Sequence, residues 1–97
     1  MIEAGGLPNG VSDVWQATGE REIAKFTWDL VRNDNKSLPG RYKPRCRFDR
    51  MYVRDPRNES AKKFKPVYFE LVGIERIRSC GRFPSDHWGI LGHFDCL

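Results

Sequence analysis

The stretch Gly81-Arg-Phe-Pro-Ser-Asp-His-Trp-Gly-Ile-Leu91 sets His87 between an acid and a tryptophan, after a turn and ahead of an apolar run. Upstream, Asp49 sits within Cys46-Arg-Phe-Asp-Arg-Met-Tyr-Val53, a segment of aromatic and β-branched character. An acid and an imidazole brought together can do phosphate chemistry. A carboxylate within hydrogen-bond reach of an imidazole favours the protonated ring and fixes its orientation. A cationic ring so held can donate to a phosphoryl oxygen as negative charge grows in the transition state. Spacing alone leaves a plainer reading open, in which Asp49 and His87 are structural and merely satisfy each other.

Other chemistries fit the residues less well. Cys80, His87, His93 and Cys96 are all metal-ligating types, but their C-x6-H-x5-H-x2-C spacing matches no common zinc signature. If that segment is extended, His87 and His93 lie roughly 20 Å apart, too far to share an ion. No metal ligands are therefore assigned within the chain. No G-x-S-x-G elbow or G-x-x-x-x-G-K loop occurs, and Cys80 has no evident activating base.

The elements that must position these groups read mostly as strands. Leu7-Pro-Asn-Gly10 is turn chemistry, and Ser12 is a fair N-cap for a helix of one or two turns that stops at Gly19. Lys25-Phe-Thr-Trp28 is a short β-type run, followed by a polar loop from Asp29 to Lys43 long enough to suggest function. Cys46–Val53 predicts a strand whose period of two groups Asp49 with Met51 and Val53, an acid on a largely apolar face that needs a partner. Pro66–Ile74 predicts a third strand and Trp88–Leu97 a last one, with Trp88, Ile90, Phe94 and Cys96 on one face and His87, Gly89, Leu91 and His93 on the other. A chain that forms mainly a sheet, without a helix long enough to cover it, leaves edges and a face exposed.

At 97 residues the chain has room for one small domain, which buries only about 60 to 65% of its unfolded surface. Hydrophobic residues at 39% and aromatics at 12% argue against disorder. No run approaches the roughly 18 to 20 apolar residues of a membrane span, and the start MIEAGGLPNG lacks the regions of a secretory signal. The sequence reads as soluble and intracellular, with no membrane partner. Cys46, Cys80 and Cys96 are odd in number and lack a C-x-x-C pair, which favours reduced thiols. The net charge of +4 is uneven: residues 41 to 65 hold ten basic against three acidic residues, a local +7, which leaves −3 elsewhere. Such a tract is either a solvated basic hairpin or a surface that attracts a polyanion.

Three segments in order sharpen the acid–imidazole reading: Phe26-Thr-Trp-Asp29, Arg47-Phe-Asp-Arg50 and Gly81-Arg-Phe-Pro-Ser-Asp-His-Trp-Gly89, joined by Gly5-Gly-Leu-Pro and Val14-Trp15. Together they resemble the C-terminal part of the endonuclease/exonuclease/phosphatase superfamily, and most closely its members that act on 5′-phosphotyrosyl DNA. Essentially the whole chain is covered. The resemblance implies an α+β fold, part of a four-layer α/β sandwich of two packed, mostly antiparallel sheets flanked by helices, to which residues 1–97 supply mainly C-terminal strands of a single catalytic domain. It implies that Asp49 orients His87, that His87 stabilises the phosphoryl oxygens, and that Asp86 helps hold the site. Trp28 and Phe48 resemble the apolar wall for the 5′-terminal nucleotide, where stacking contributes about 1 to 3 kcal/mol per base, and the resemblance implies that Leu38 is the apolar contact of the loop.

The implied reaction is Mg²⁺-dependent hydrolysis of a 5′-phosphotyrosyl bond, the adduct left when a type II topoisomerase is trapped on DNA. That is a step of DNA repair in the nucleus, with the cytoplasm as a second location. The phenolate is a fair leaving group, since its unperturbed pKa is about 10. The metal-binding Asn and Glu of the family and its Gly-Asp-x-Asn segment are not in this sequence; the last would lie just before Met1. The main Mg²⁺ ligands are thus expected in the remainder of the catalytic domain, and the 97 residues alone are expected to be inactive. The alternative is a non-catalytic basic nucleic-acid-binding module built on residues 41 to 65.

Overall fold

The computed structural model describes residues 6–58 and 61–97. Gly5 of the early turn motif and Glu59 of the basic tract lie outside the described residues. In order, the elements are strand β1 (Val11–Asp13), helix α1 (Val14–Ala17), a 3-10 turn (Glu22–Ala24), and strands β2 (Trp28–Asp29), β3 (Arg45–Cys46), β4 (Tyr52–Arg54), β5 (Phe64–Val72) and β6 (Gly89–Cys96). Among the described residues the named strands pair antiparallel, in three two-stranded ladders: β1 with β4, β2 with β3, and β5 with β6. The expectation of a chain mainly in strands holds, although as three ladders in place of one sheet.

Local chemistry explains the bounds of the first elements. Ser12 is not the N-cap, because it pairs across to Val53; the next residue, Asp13, caps α1 by accepting from the Gln16 amide at 3.3 Å. The helix lasts one turn because Gly19 and Glu20 take φ of +104° and +51°, a left-handed step that ends it. The β-type run at Lys25 contracts to Trp28–Asp29, since Lys25 still closes the 3-10 turn through its amide to the Glu22 carbonyl.

The expected strand from Cys46 to Val53 is broken into β3 and β4. The Thr27 hydroxyl accepts from the amides of both Phe48 and Asp49, at 3.1 and 2.9 Å. Successive amides of a strand point to opposite sides, so two that converge on one oxygen cannot belong to a regular ladder. Asp49 is therefore not grouped with Met51 and Val53. Those two pack against the core, while the Asp49 side chain is 43% exposed.

The β5–β6 hairpin is the longest regular piece. Its register shifts between Pro66 and Tyr68, where proline has no N–H to give to the ladder. The buried core is Val14, Trp15, Ala24, Phe69, Leu71 and Trp88, with Met51, Val53, Phe83 and Ile90 partly buried against it. It sits where α1 crosses the inner face of the hairpin. Trp88 and Ile90 face this core as the alternation predicts, but Phe94 and Cys96, farther along, are exposed.

The radius of gyration is 16.4 Å, against about 12.5 Å for a compact chain of this length. The accessible surface is 7109 Å², about 1,400 Å² more than a folded monomer of this mass presents. The excess is partly apolar: Phe64, Val67, Leu91 and Leu97 of the hairpin are each 45% exposed or more. Among the described residues, no helix is long and apolar enough to cross a membrane.

Candidate functional site

Thr27 is the junction on which the site is built. It is 1% exposed; its amide donates to the Cys46 carbonyl at 3.1 Å and its carbonyl accepts from the Trp88 amide at 2.7 Å. With its hydroxyl on Phe48 and Asp49, it gathers three separate segments at one point. Next to it, an isolated antiparallel bridge joins Trp28 to His87. The start of β2, the segment after β3 and the approach to β6 thus meet.

His87 and Asp49 are brought into direct contact there, with Nδ1 to Oδ2 at 2.6 Å. Both side chains are partly open to solvent. The carboxylate takes Nδ1, which leaves Nε2 as the free edge of the ring. Trp28 and Phe48 stack with centroids 5.3 Å apart, and each lies 6.3 to 6.4 Å from the imidazole. Phe48 is 60% exposed, so the stack offers an aromatic wall to the surroundings. The Trp28 Nε1–H donates to Asp86 Oδ2 at 3.2 Å, which ties the residue before His87 to the same wall.

Leu38 is not part of this cluster. It lines a separate hollow with Leu30, Asp34, Lys36, Tyr42 and Lys43. Of the residues weighed for zinc, His93 pairs with Glu70 across the hairpin at 2.6 Å, and Cys80 and Cys96 are free thiols, as is Cys46.

Two residues of the Phe26-Thr-Trp-Asp29 string hold roles that the sequence did not assign to them. Asp29, 1% exposed, is held by Arg45 through two bonds of 3.0 and 2.9 Å and caps the following turn by accepting from the amides of Val31 and Arg32. Thr27 carries no motif of its own; a β-branched hydroxyl beside an aromatic pair was the only available signal.

Burial alone raises the Asp49 carboxyl, but hydrogen bonds from His87 and Thr27, with the charge of the imidazole, outweigh it, and Asp49 titrates below its ordinary value. A carboxylate lowered in the native state adds stability that is complete above its unfolded value, about 3.9, and is lost as pH falls through the native one. Asp49→Asn is accordingly expected to destabilise near neutral pH and to do so progressively less below about pH 4. Urea midpoints collected across that range check this, and a pH-independent difference would argue against the pair.

No protein family model matches the chain. Among curated proteins it is 45% identical over 95 residues to tyrosyl-DNA phosphodiesterase 2 of Danio rerio, covering 98% of this chain and 24% of that protein. It is 40% identical over 97 residues to tyrosyl-DNA phosphodiesterase 2 of Homo sapiens, covering all of this chain and 25% of that one. The fold superposes on the crystal structure of the Danio rerio protein complexed with single strand DNA product at a TM-score of 0.82 and 45% identity, over 94% of this chain and 34% of the other. The chain thus spans about a quarter of the length of the curated relatives it matches. With near-complete coverage of its own residues in both sequence and fold, the chain belongs to the tyrosyl-DNA phosphodiesterase 2 family, to the C-terminal part of its members.

Proposed function

We propose that this chain supplies the acid–imidazole part of a 5′-tyrosyl-DNA phosphodiesterase site, in a catalytic domain completed by residues outside these 97. The observation that carries the reading is the 2.6 Å contact between His87 and Asp49 beside the Trp28–Phe48 stack, in which Phe48 is exposed and Trp28 half-buried. On this reading the 5′-terminal base packs on Trp28 and Phe48, without Leu38, which lines a separate hollow. Asp49 holds Nδ1, and His87 in its protonated form donates from Nε2 to a non-bridging phosphoryl oxygen. Asp86, tethered by Trp28, keeps the ring at the edge of the wall. Water adds to phosphorus, the P–O bond to tyrosine breaks, and a 5′-phosphate and tyrosine result.

Among the described residues no three His, Cys, Asp or Glu side chains gather to hold a metal. These residues therefore do not fit Mg²⁺ on their own, and the reading assigns its main ligands to the remainder of the domain. The exposed apolar side of the hairpin supports a place in the four-layer sandwich, where further elements cover it. The substrate is DNA with a 5′-phosphotyrosyl end, such as a topoisomerase II adduct, and the setting is nuclear DNA repair with some cytoplasmic protein.

One observation favours the alternative of a basic nucleic-acid-binding module. Of the ten cations between 41 and 65, Arg45, Arg47 and Lys63 are ion-paired, whereas Arg41, Lys43, Arg50, Arg54, Arg57, Lys62 and Lys65 make no ion pair among the described residues. A single assay separates the two. The complete protein is expected to release tyrosine from a 5′-phosphotyrosyl oligonucleotide in a metal-dependent way, and the 97 residues alone to release none above background. Strong, salt-sensitive DNA binding by the complete protein without any turnover would replace the enzymatic reading with the alternative.

A further inference from the structure

The chain beyond β2 runs back across the residues that lead into His87 and is fastened there by side-chain amides. Asn33 is 1% exposed. Its backbone amide donates to the Asp29 carbonyl at 2.8 Å, its Nδ2 to the Ser85 carbonyl at 2.8 Å, and its Oδ1 accepts from the Asn35 amide at 2.9 Å. Asn35 then takes both backbone groups of Phe83, donating from Nδ2 to the carbonyl at 2.6 Å and accepting from the amide at 3.0 Å. Between them, Asp34 is gripped by the Arg76 guanidinium through two bonds of 3.0 Å.

These contacts fall on backbone atoms two and four residues before His87. The Ser85 carbonyl is set by Asn33, and the Ser85 hydroxyl accepts from the His87 amide at 3.1 Å. Residues 83 to 86 have no ladder of their own, so their position depends on such ties. The Nδ1–Oδ2 contact joins His87 to an acid anchored elsewhere, on Thr27. A displacement of residues 83 to 86 carried into His87 would move the imidazole away from Asp49, and it reaches the wall through the Asp86–Trp28 bond, whereas Phe48 is anchored separately on Thr27.

We propose that Asn33 and Asn35 are positioning residues for His87, a clasp that holds the Phe83–Asp86 approach so that the imidazole meets Asp49. The consequence for turnover rests on the function proposed above; the consequence for geometry does not. Neither asparagine touches the reacting atoms, so the clasp sets the reactivity of the bound substrate and leaves its binding to Trp28 and Phe48.

The test uses the complete protein. Asn33→Asp keeps the shape but removes the donor to Ser85 and sets an acceptor against a carbonyl, and Asn35→Ala frees Phe83. Each variant is expected to lower kcat on a 5′-phosphotyrosyl oligonucleotide by about 10- to 100-fold, the cost of a displacement on the order of 1 Å, with KM little changed. Each is also expected to lose the downfield proton NMR signal of the His87 Nδ1–H bonded to Asp49. An unchanged signal in a folded variant, or a KM rise at unchanged kcat, overturns the proposal. If Asn33→Asp does not fold, Asn35→Ala, at a half-buried position, decides alone. If the wild-type protein has no activity, the functional reading falls and the NMR comparison still decides the clasp.

Discussion

Replacing His87 with alanine in the complete protein is expected to lower kcat on a 5′-phosphotyrosyl oligonucleotide by about 10²- to 10³-fold, the usual loss when one charge-stabilising donor is removed. KM should change little, because the Trp28–Phe48 wall stacks without help from the ring: its two members contact each other more closely than either contacts His87. A loss confined to kcat and kcat/KM is the signature of an interaction made mainly in the transition state. The fold should tolerate the change, since the side chain is 39% exposed and outside the core. Steady-state kinetics on the purified variant check this. A loss of less than about tenfold, below the range of general acid–base groups, would return Asp49 and His87 to a purely structural role.

Arg47→Ala is expected to destabilise the protein by about 3 to 5 kcal/mol, the cost of stranding one member of a buried ion pair. Arg47 and Asp13 pair at the base of α1 with side chains 10% and 1% exposed, and the guanidinium lies 4.5 Å from the centre of the Trp15 ring. Asp13 also caps α1, and its Oδ2 is buried without a hydrogen bond, so it has no reserve partner. Against a typical total of 5 to 15 kcal/mol, a loss of about this size is a large share. The double variant Asp13→Asn/Arg47→Met should lose less than Arg47→Ala alone, because it removes both charges together. Urea denaturation measures both. A loss of about 1 kcal/mol or less, as for an exposed pair, would show that water reaches Asp13.

The four residues Arg47-Phe-Asp-Arg50 show how far a linear reading reaches. Their types announce an acid and an aromatic near a phosphate-binding surface, and period-two logic then assigns Asp49 to the core side. The fold instead separates them: Arg47 turns inward to Asp13, Phe48 joins Trp28, Asp49 meets His87, and Arg50 is exposed. The alternation fails because the Thr27 hydroxyl competes with the strand ladder for two adjacent amides. A side chain of one segment acting on the backbone of another leaves no periodicity to detect. The same holds for Asn33 and Asn35, which read as loop composition and prove to be ties to Phe83 and Ser85.

By itself the sequence determined the strand-rich composition, the stop at Gly19, the inward face of Trp88 and Ile90, and the candidacy of His87, Asp49, Trp28 and Phe48, because these follow from residue type, short-range backbone preference and the order of motifs along the chain. Tertiary structure alone decided that the imidazole and the carboxylate lie 2.6 Å apart, that Leu38 lines a different hollow, and that Thr27 is the hub. Those outcomes depend on hydrogen bonds between residues distant in sequence, whose geometry is set only when the segments are packed against one another.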